Sequence, residues 1–274
     1  MKIHALAAIF FLLFLAACQP NITPTERPTS APAAEAPAAK PPEETEAVSP
    51  SQPEAENLIT FSEMGIIVGF NYPDGFAQGI GTSFNNVYEP IAPYELPYPQ
   101  NAQIIFTAYP GGFDFTQNGL RIFRAEEINA LQAGVLESLS AVLENQTDHH
   151  SDFPRFAGAG SVIDAQIKTV SFQNGKGFRY LLTKSFSAEP LKSIGMTYLY
   201  QGVTDDDKYF VSFIMTVDAP FLAEYIGQPL NTIEEFESFY GNINNLVDTS
   251  RGDQFTPSLD LFDALISSIV ILEK

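Results

Sequence analysis

The sequence predicts an α+β fold: an antiparallel β-sheet, built from a meander over 166–217 plus N-terminal strands and packed by about three helices. Three observations carry this. Asn174-Gly175 lies between two strand-like runs, and type I′ hairpin turns favour that pair because both central residues need positive φ. Residues 208–217 alternate, so that Tyr209, Val211, Phe213, Met215 and Val217 share a wholly apolar face and Phe210, Ser212, Ile214 and Thr216 a mixed one. The helix-like periods stand apart from the strand-like runs, which argues against alternating βαβ units.

In chain order, a first strand over 65–72 ends at Tyr72-Pro73-Asp74-Gly75-Phe76, where Pro-Asp-Gly signals a turn. Residues 78–84 and 103–109 are the next strand candidates. One helix over 125–145 places Ile128, Leu131, Val135, Leu139 and Val142 on a single stripe. The meander follows as 166–173, 177–186, 196–204 and 208–217, its last hairpin turning at Asp205-Asp206-Asp207. A Thr-x-x-Glu box, Thr232 to Glu235, opens a helix over 232–247. Thr256-Pro257 begins the last helix as cap and first-turn proline, with Leu261, Leu265 and Ile269 facing inward.

The N-terminal end has a different character. A short positive start, Met1-Lys2, precedes the apolar run 5–17, which Gln19 and Pro20 stop abruptly. These are the features of a secretory signal, and the run falls short of the roughly 20 apolar residues a spanning helix needs. Leu15-Ala16-Ala17-Cys18 resembles the lipobox of bacterial lipoproteins. The resemblance implies that Leu15, Ala16 and Ala17 are recognition positions, that the chain is cut after residue 17, and that Cys18 carries diacylglycerol. It also implies an extracytoplasmic address on the membrane; at the position after the cysteine, Gln19 replaces the Asp that commonly retains such proteins at an inner membrane. The outer membrane is therefore expected in a Gram-negative cell. Cys18 is the only cysteine, so a disulfide within the chain and a second thiol are both excluded.

Residues 18–57 are rich in Pro, Ala, Thr, Ser and Glu, with little to bury, and are expected to form a disordered tether. Prolines bias such a segment to extended polyproline II, at about 3.1 Å per residue. Residues 58–274 are expected to form one domain. They hold 11 basic and 26 acidic residues, a net charge of −15 within a chain total of −19. That field repels nucleic acid and anionic lipid surfaces, and no basic run offsets it.

Short segments of this domain resemble the PsbP-like fold, an antiparallel sheet between helices, and envelope lipoproteins related to it. They are Tyr72-Pro73-Asp74-Gly75-Phe76, the run from Asn174 to Tyr180, Tyr200-Gln201-Gly202-Val203-Thr204 and the terminal stretch from Leu265 to Ile269. Phe76 stands where that family often has Trp. The resemblance implies a non-catalytic accessory or binding protein in an α/β/α sandwich, with no particular ligand.

No motif marks a cofactor, metal or catalytic site. His149 and His150 are adjacent, and sequence neighbours do not converge on one ion. Asp205-Asp206-Asp207 lacks the twelve-residue spacing of a calcium loop, and no Gly-x-Ser-x-Gly elbow occurs. The long Pro- and Tyr-rich connection over 88–100 is the candidate binding loop, with Tyr88, Tyr94 and Tyr98 as flat amphipathic contacts; packing over a sheet edge is the plainer use of the same rings. The expected function is a lipid-anchored binding or accessory module, with an envelope protein as its partner. The alternative is a hydrolase of wall or sugar polymers that uses Asp or Glu.

Overall fold

A seven-stranded antiparallel sheet forms the centre of the unit Pro50–Lys274. The computed structural model describes residues 55–89, 97–109, 119–145, 160–185 and 187–274, all within one compact unit, Pro50–Lys274. A small sheet is made by β1 (Asn57–Phe61) and β2 (Ile66–Phe70), the latter also pairing with the last strand. The large sheet contains β3 (Gly79–Asn85), β4 (Asn101–Thr107), β5 (Gly119–Arg124), β6 (Gly160–Phe172), β7 (Gly175–Ser185), β8 (Gly195–Thr204) and β9 (Tyr209–Asp218). Its order is β3-β4-β5-β9-β8-β7-β6. β10 (Val270–Glu273) closes the small sheet against β2. The helices are α1 (Ala125–Leu131), α2 (Val135–Asn145), α3 (Ile233–Thr249) and α4 (Leu259–Ser268).

Alternation along the strands divides the core into two layers. Tyr198 and Tyr200 of β8 and Val211, Phe213 and Met215 of β9 face a large cluster that includes Tyr240, Ile243 and Val247 of α3 and Phe262 and Leu265 of α4. The intervening Leu199, Phe210 and Ile214 face a smaller cluster with Ile128 of α1 and Leu139 and Val142 of α2. A strand with both faces buried reads as a nearly continuous apolar run, which is what β9 shows. The α+β class and the meander predicted from sequence are both present, with β6 reaching back to Gly160.

Four details differ from the sequence expectation. The stretch 125–145 is two helices rather than one, because the chain turns at 132–134, where Gly134 takes a positive φ of 87° that side chains resist. Leu131, expected on the inner stripe, is 42% exposed at that break, and the described residues contain four α-helices. The last helix starts at Leu259, not at Thr256-Pro257. Ser258 is its cap and accepts from the Asp260 N–H, while Thr256 is held in a bridge with Asp218. Leu261 is accordingly 37% exposed, and Leu259, Phe262 and Ile266 point inward beside Leu265.

The third difference lies in the β6–β7 hairpin. Phe172 pairs with Gly175, so the turn is Gln173-Asn174, and neither residue has positive φ. Tertiary hydrogen bonds explain the shift. The Asn174 side chain donates to Ile271 O at 2.6 Å and accepts from Ile271 N at 3.1 Å, while Gln173 N donates to Ile269 O at 2.9 Å. Gly175 is needed for close approach instead: a Cβ there would lie 2.1 Å from the Phe172 ring. Lastly, β1, β5 and β10 were not anticipated. The first begins at Asn57, at the end of the expected tether; β5 begins at the Asn118-Gly119 pair, a turn signal left unused in the strand expectations, and β10 is a run of four residues just after α4.

The helix expected over 232–247 forms as Ile233–Thr249, with Thr232 as its cap. Thr232 Oγ1 accepts from Glu235 N at 3.1 Å, and the Glu235 carboxylate accepts from Asn231 N at 2.7 Å. This helix also protects the outer strand of the sheet. Asn244 accepts from Asp164 N at 2.8 Å and donates to Val162 O at 3.1 Å, so its carboxamide does for β6 what a neighbouring strand would do.

Candidate functional site

Leu15, Ala16, Ala17, Cys18 and Tyr94 lie outside the described residues, as do His149 and His150. Tyr88 and Tyr98 are brought together. Each backbone N–H donates to the other's carbonyl, at 2.9 and 3.1 Å, and their rings sit 5.9 Å apart. Tyr98 is partly buried against the α1/α2 layer, and the Arg121 guanidinium lies 5.8 Å over its ring. Tyr88 keeps 37% of its surface exposed. Of the described pair, one ring is thus chiefly a packing element and the other remains at the surface. The triple-Asp turn is a polar hairpin tip, where Asp206 accepts from Thr204 Oγ1 at 2.7 Å and from Lys208 N at 3.2 Å.

Beneath Tyr98 a line of polar residues crosses the sheet. Ser83, Gln103, Arg121, Ser212 and Gln201 are successive register partners on β3, β4, β5, β9 and β8, so all share one face. Gln103 Oε1 accepts from Asn85 Nδ2 at 2.8 Å, and Asn85 also donates to Asn101 Oδ1 at 3.0 Å. Gln103 Nε2 and Ser212 Oγ are buried without a hydrogen-bond partner among the described residues.

The strongest concentration of charge lies on the other face, near β6. Asp263 of α4 is 8% exposed and Arg179 of β7 is 4% exposed. Asp263 Oδ1 accepts from Tyr198 OH at 2.8 Å and from Arg179 Nε at 3.3 Å, and its Oδ2 accepts from Lys168 Nζ at 2.8 Å. Burial, reinforced by the Asp263 charge, holds the Tyr198 phenol well above the usual tyrosine range. Tyr198 is therefore a donor to the carboxylate at neutral pH. Arg179 Nη1 donates to the main-chain and side-chain oxygens of Gln166. Gln166 itself occupies a bulge between Ala165 and Lys168 with φ of 61°, a left-handed conformation uncommon for a side-chain-bearing residue. Its N–H donates to Asp248 Oδ1 at 2.8 Å, and its Nε2 reaches the carbonyls of Val247, Asp248 and Ser250 at 2.9, 2.8 and 2.7 Å. One carboxamide thus reaches three carbonyls at the C-terminal end of α3 and fixes the bulge.

The bulge opens a groove of about 620 Å³ at the sheet edge, between α2 and the last turns of α3. Val142, Ile167 and Phe178 give it apolar surface, and Asp164, Asn245 and Asp248 give it polar surface. Lys168 also lines it, but its ammonium is already paired with Asp263. The Asn245 carboxamide and Asp248 Oδ2 make no hydrogen bonds among the described residues. No motif marks these groups. The available signal is positional: Asp263 sits on the inward stripe of α4 and Arg179 on a core face of β7, and opposite charges at two core positions imply a partnership. Nothing local predicts the Gln166 bulge.

No family model, curated protein or solved structure matches this chain. Among the described residues, no group of three or more His, Cys, Asp or Glu could hold a metal ion, and no helix is long and apolar enough to cross a membrane. The class that fold and site define is thus an antiparallel α+β domain with a solvent-open edge groove backed by an internally satisfied ionic cluster.

Proposed function

We propose that the protein is a lipid-anchored extracytoplasmic binding or accessory module of the cell envelope, held by acyl chains on Cys18 and set off from the membrane by the tether. The ordered run of positive start, apolar core and Leu15-Ala16-Ala17-Cys18 supports the anchorage. Two or more acyl chains anchor durably where one binds reversibly. The PsbP-like resemblance points to the same non-catalytic class. The observation that carries the binding role is the edge groove: its volume of about 620 Å³ lies in the range of small-molecule sites, and it combines apolar wall with a few polar groups. Exposed Tyr88 offers a separate surface for an envelope protein.

Mass spectrometry of the chain from its membrane fraction tests the anchorage. A diacylglyceryl mass on Cys18, with Cys18→Ser released or unprocessed, is expected; an unmodified terminus at another cut would overturn it. The hydrolase alternative has one observation in its favour, the two carboxylates Asp164 and Asp248 on one groove. It requires the release of new reducing ends from envelope glycans, lost in both Asp164→Asn and Asp248→Asn. No release from the intact chain leaves binding as the groove's role.

A further inference from the structure

The outer strands of the large sheet differ in how they end it. β6 is covered by α3, whose Asn244 carboxamide bonds to Asp164 N and Val162 O. β3 forms the opposite edge and has β4 as its one ladder partner among the described residues. None of its seven residues is buried, and Thr82 at its centre is exposed. An open edge presents backbone N–H and C=O groups to an extended chain, and proteins usually blunt it with Lys, Pro or a bulge. β3 has none of these: it pairs with β4 in unbroken register, and residues 76–88 contain no Pro and no charged residue. The outer strand of the small sheet, β1, is shorter and has Glu56 and Glu63 close to its ends. Glycine inside a strand often marks the close approach of another backbone. At Gly177 that approach is internal, since a Cβ there would lie 2.1 Å from Gln201 O. At Gly81 a Cβ would meet nothing within 4 Å among the described residues, so the single chain supplies no packing reason for that glycine.

Symmetry and charge identify what this edge fits. Ile80 and Phe84 are partly buried against the large core cluster on one face of β3, and Gly79, Gly81 and Ser83 alternate with them on the other. A two-fold axis through Thr82 sets a second β3 antiparallel to the first. Ile80 then lies opposite Phe84 of the second copy, Gly81 opposite its Ser83, and Thr82 opposite its Thr82. Both apolar pairs fall on the face that continues the core. A one-residue slip would set Ile80 and Phe84 against Ser, Asn or Gly positions instead. Val87, just beyond the strand, is 52% exposed and extends the apolar surface at its end. Two domains of net charge −15 repel each other, and the uncharged stretch 76–88 is where they approach at least cost. From these observations we infer that β3 is a self-association edge. Two copies pair through it, antiparallel about Thr82, and join their large sheets into one. The inference is independent of the groove and of the anchor on Cys18.

Disulfide trapping on the full chain provides the test. Directly opposed residues of an antiparallel pair lie about 4.5–5.5 Å apart at Cα, within the span of a disulfide. Thr82→Cys should therefore link two copies on mild oxidation, and Thr82 is exposed, so the change leaves the core untouched. Ser83 and its counterpart would lie about 8 Å apart, too far to bridge. Ser83→Cys is thus the control for register, and Ser238→Cys, exposed on α3, the control for chance collision. The native chain reports linkage through Cys18, its only cysteine. The Thr82→Cys dimer is expected at least about tenfold above these controls, because pairing raises the local thiol concentration. Amide exchange over 79–85 in the native chain should also slow as protein concentration rises. Thr82→Glu, which sets two carboxylates face to face, should abolish that dependence. Equal linkage from Thr82→Cys, Ser83→Cys and Ser238→Cys would identify chance collision and overturn the proposal. Linkage greatest for Ser83→Cys would overturn the two-fold through Thr82. Concentration-independent exchange over 79–85, with no Thr82→Cys dimer, would give the edge to another occupant or to none and overturn self-association.

Discussion

Two polar groupings on opposite faces of the large sheet meet burial in different ways. On the α3/α4 side, Asp263 is surrounded by three donors, Tyr198, Arg179 and Lys168, and Arg179 Nη1 donates in turn to Gln166. On the α1/α2 side, the line from Ser83 to Gln201 includes two buried atoms, Gln103 Nε2 and Ser212 Oγ, without partners among the described residues. The contrast shows what burial demands of each kind of group. A charge cannot be left in low dielectric without paired donors, so the acidic position forces a network upon its neighbours. An orphaned hydroxyl or amide hydrogen costs only about 1–3 kcal/mol, which a domain of this size can carry. The satisfied cluster ties together β6, β7, β8 and α4; the polar line stays within the sheet.

The largest test of this contrast is Asp263→Ala. It leaves Arg179 buried beside an empty position and should lower unfolding free energy by about 3–5 kcal/mol, read as a reduced urea midpoint. Arg179→Met in the same background should recover part of the loss, because the uncompensated charge is then gone. If Asp263→Ala costs under about 1 kcal/mol, the cluster is solvated and the contrast disappears.

A smaller effect is expected from Tyr198→Phe, which deletes the 2.8 Å donation to Asp263 and should cost about 1.5–3 kcal/mol at neutral pH. The pH dependence sharpens this. Folding raises the Tyr198 phenol well above its ordinary value, chiefly by burial and then by the Asp263 charge, so the unfolded chain releases that proton first. The associated stabilisation is complete below about pH 10, the unfolded value, and is lost as pH rises toward the folded one. Stability of the native chain should therefore fall steeply above about pH 10, by up to about 1.4 kcal/mol per pH unit for each such phenol. Tyr200 is shifted in the same direction by burial, so Tyr198→Phe should flatten the slope without abolishing it. An unchanged slope would show that Tyr198 ionises freely.

The smallest effect belongs to the other face. Ser212→Ala removes a hydroxyl that has no partner among the described residues, and stability should stay within about 0.5 kcal/mol of the native value or rise. A loss above about 1.5 kcal/mol in thermal unfolding would reveal a satisfied serine and erase the difference between the faces.

The sequence by itself determined the α+β class, the meander, the Thr232 cap and the apolar inner face of β9. These follow from local chemistry: alternation with period two, turn residues, and a hydroxyl three residues before a glutamate. Only tertiary structure decided the turn at Gln173-Asn174, because bonds from β10, about a hundred residues away in the chain, outweigh the local preference of Asn-Gly. The same holds for the start of α4, where pairing of Thr256 with Asp218 moves the cap to Ser258. The groove was beyond local signals altogether. It exists because Gln166 of β6 accepts a left-handed backbone to reach the end of α3, and a bond between residues more than eighty positions apart leaves no periodicity to read.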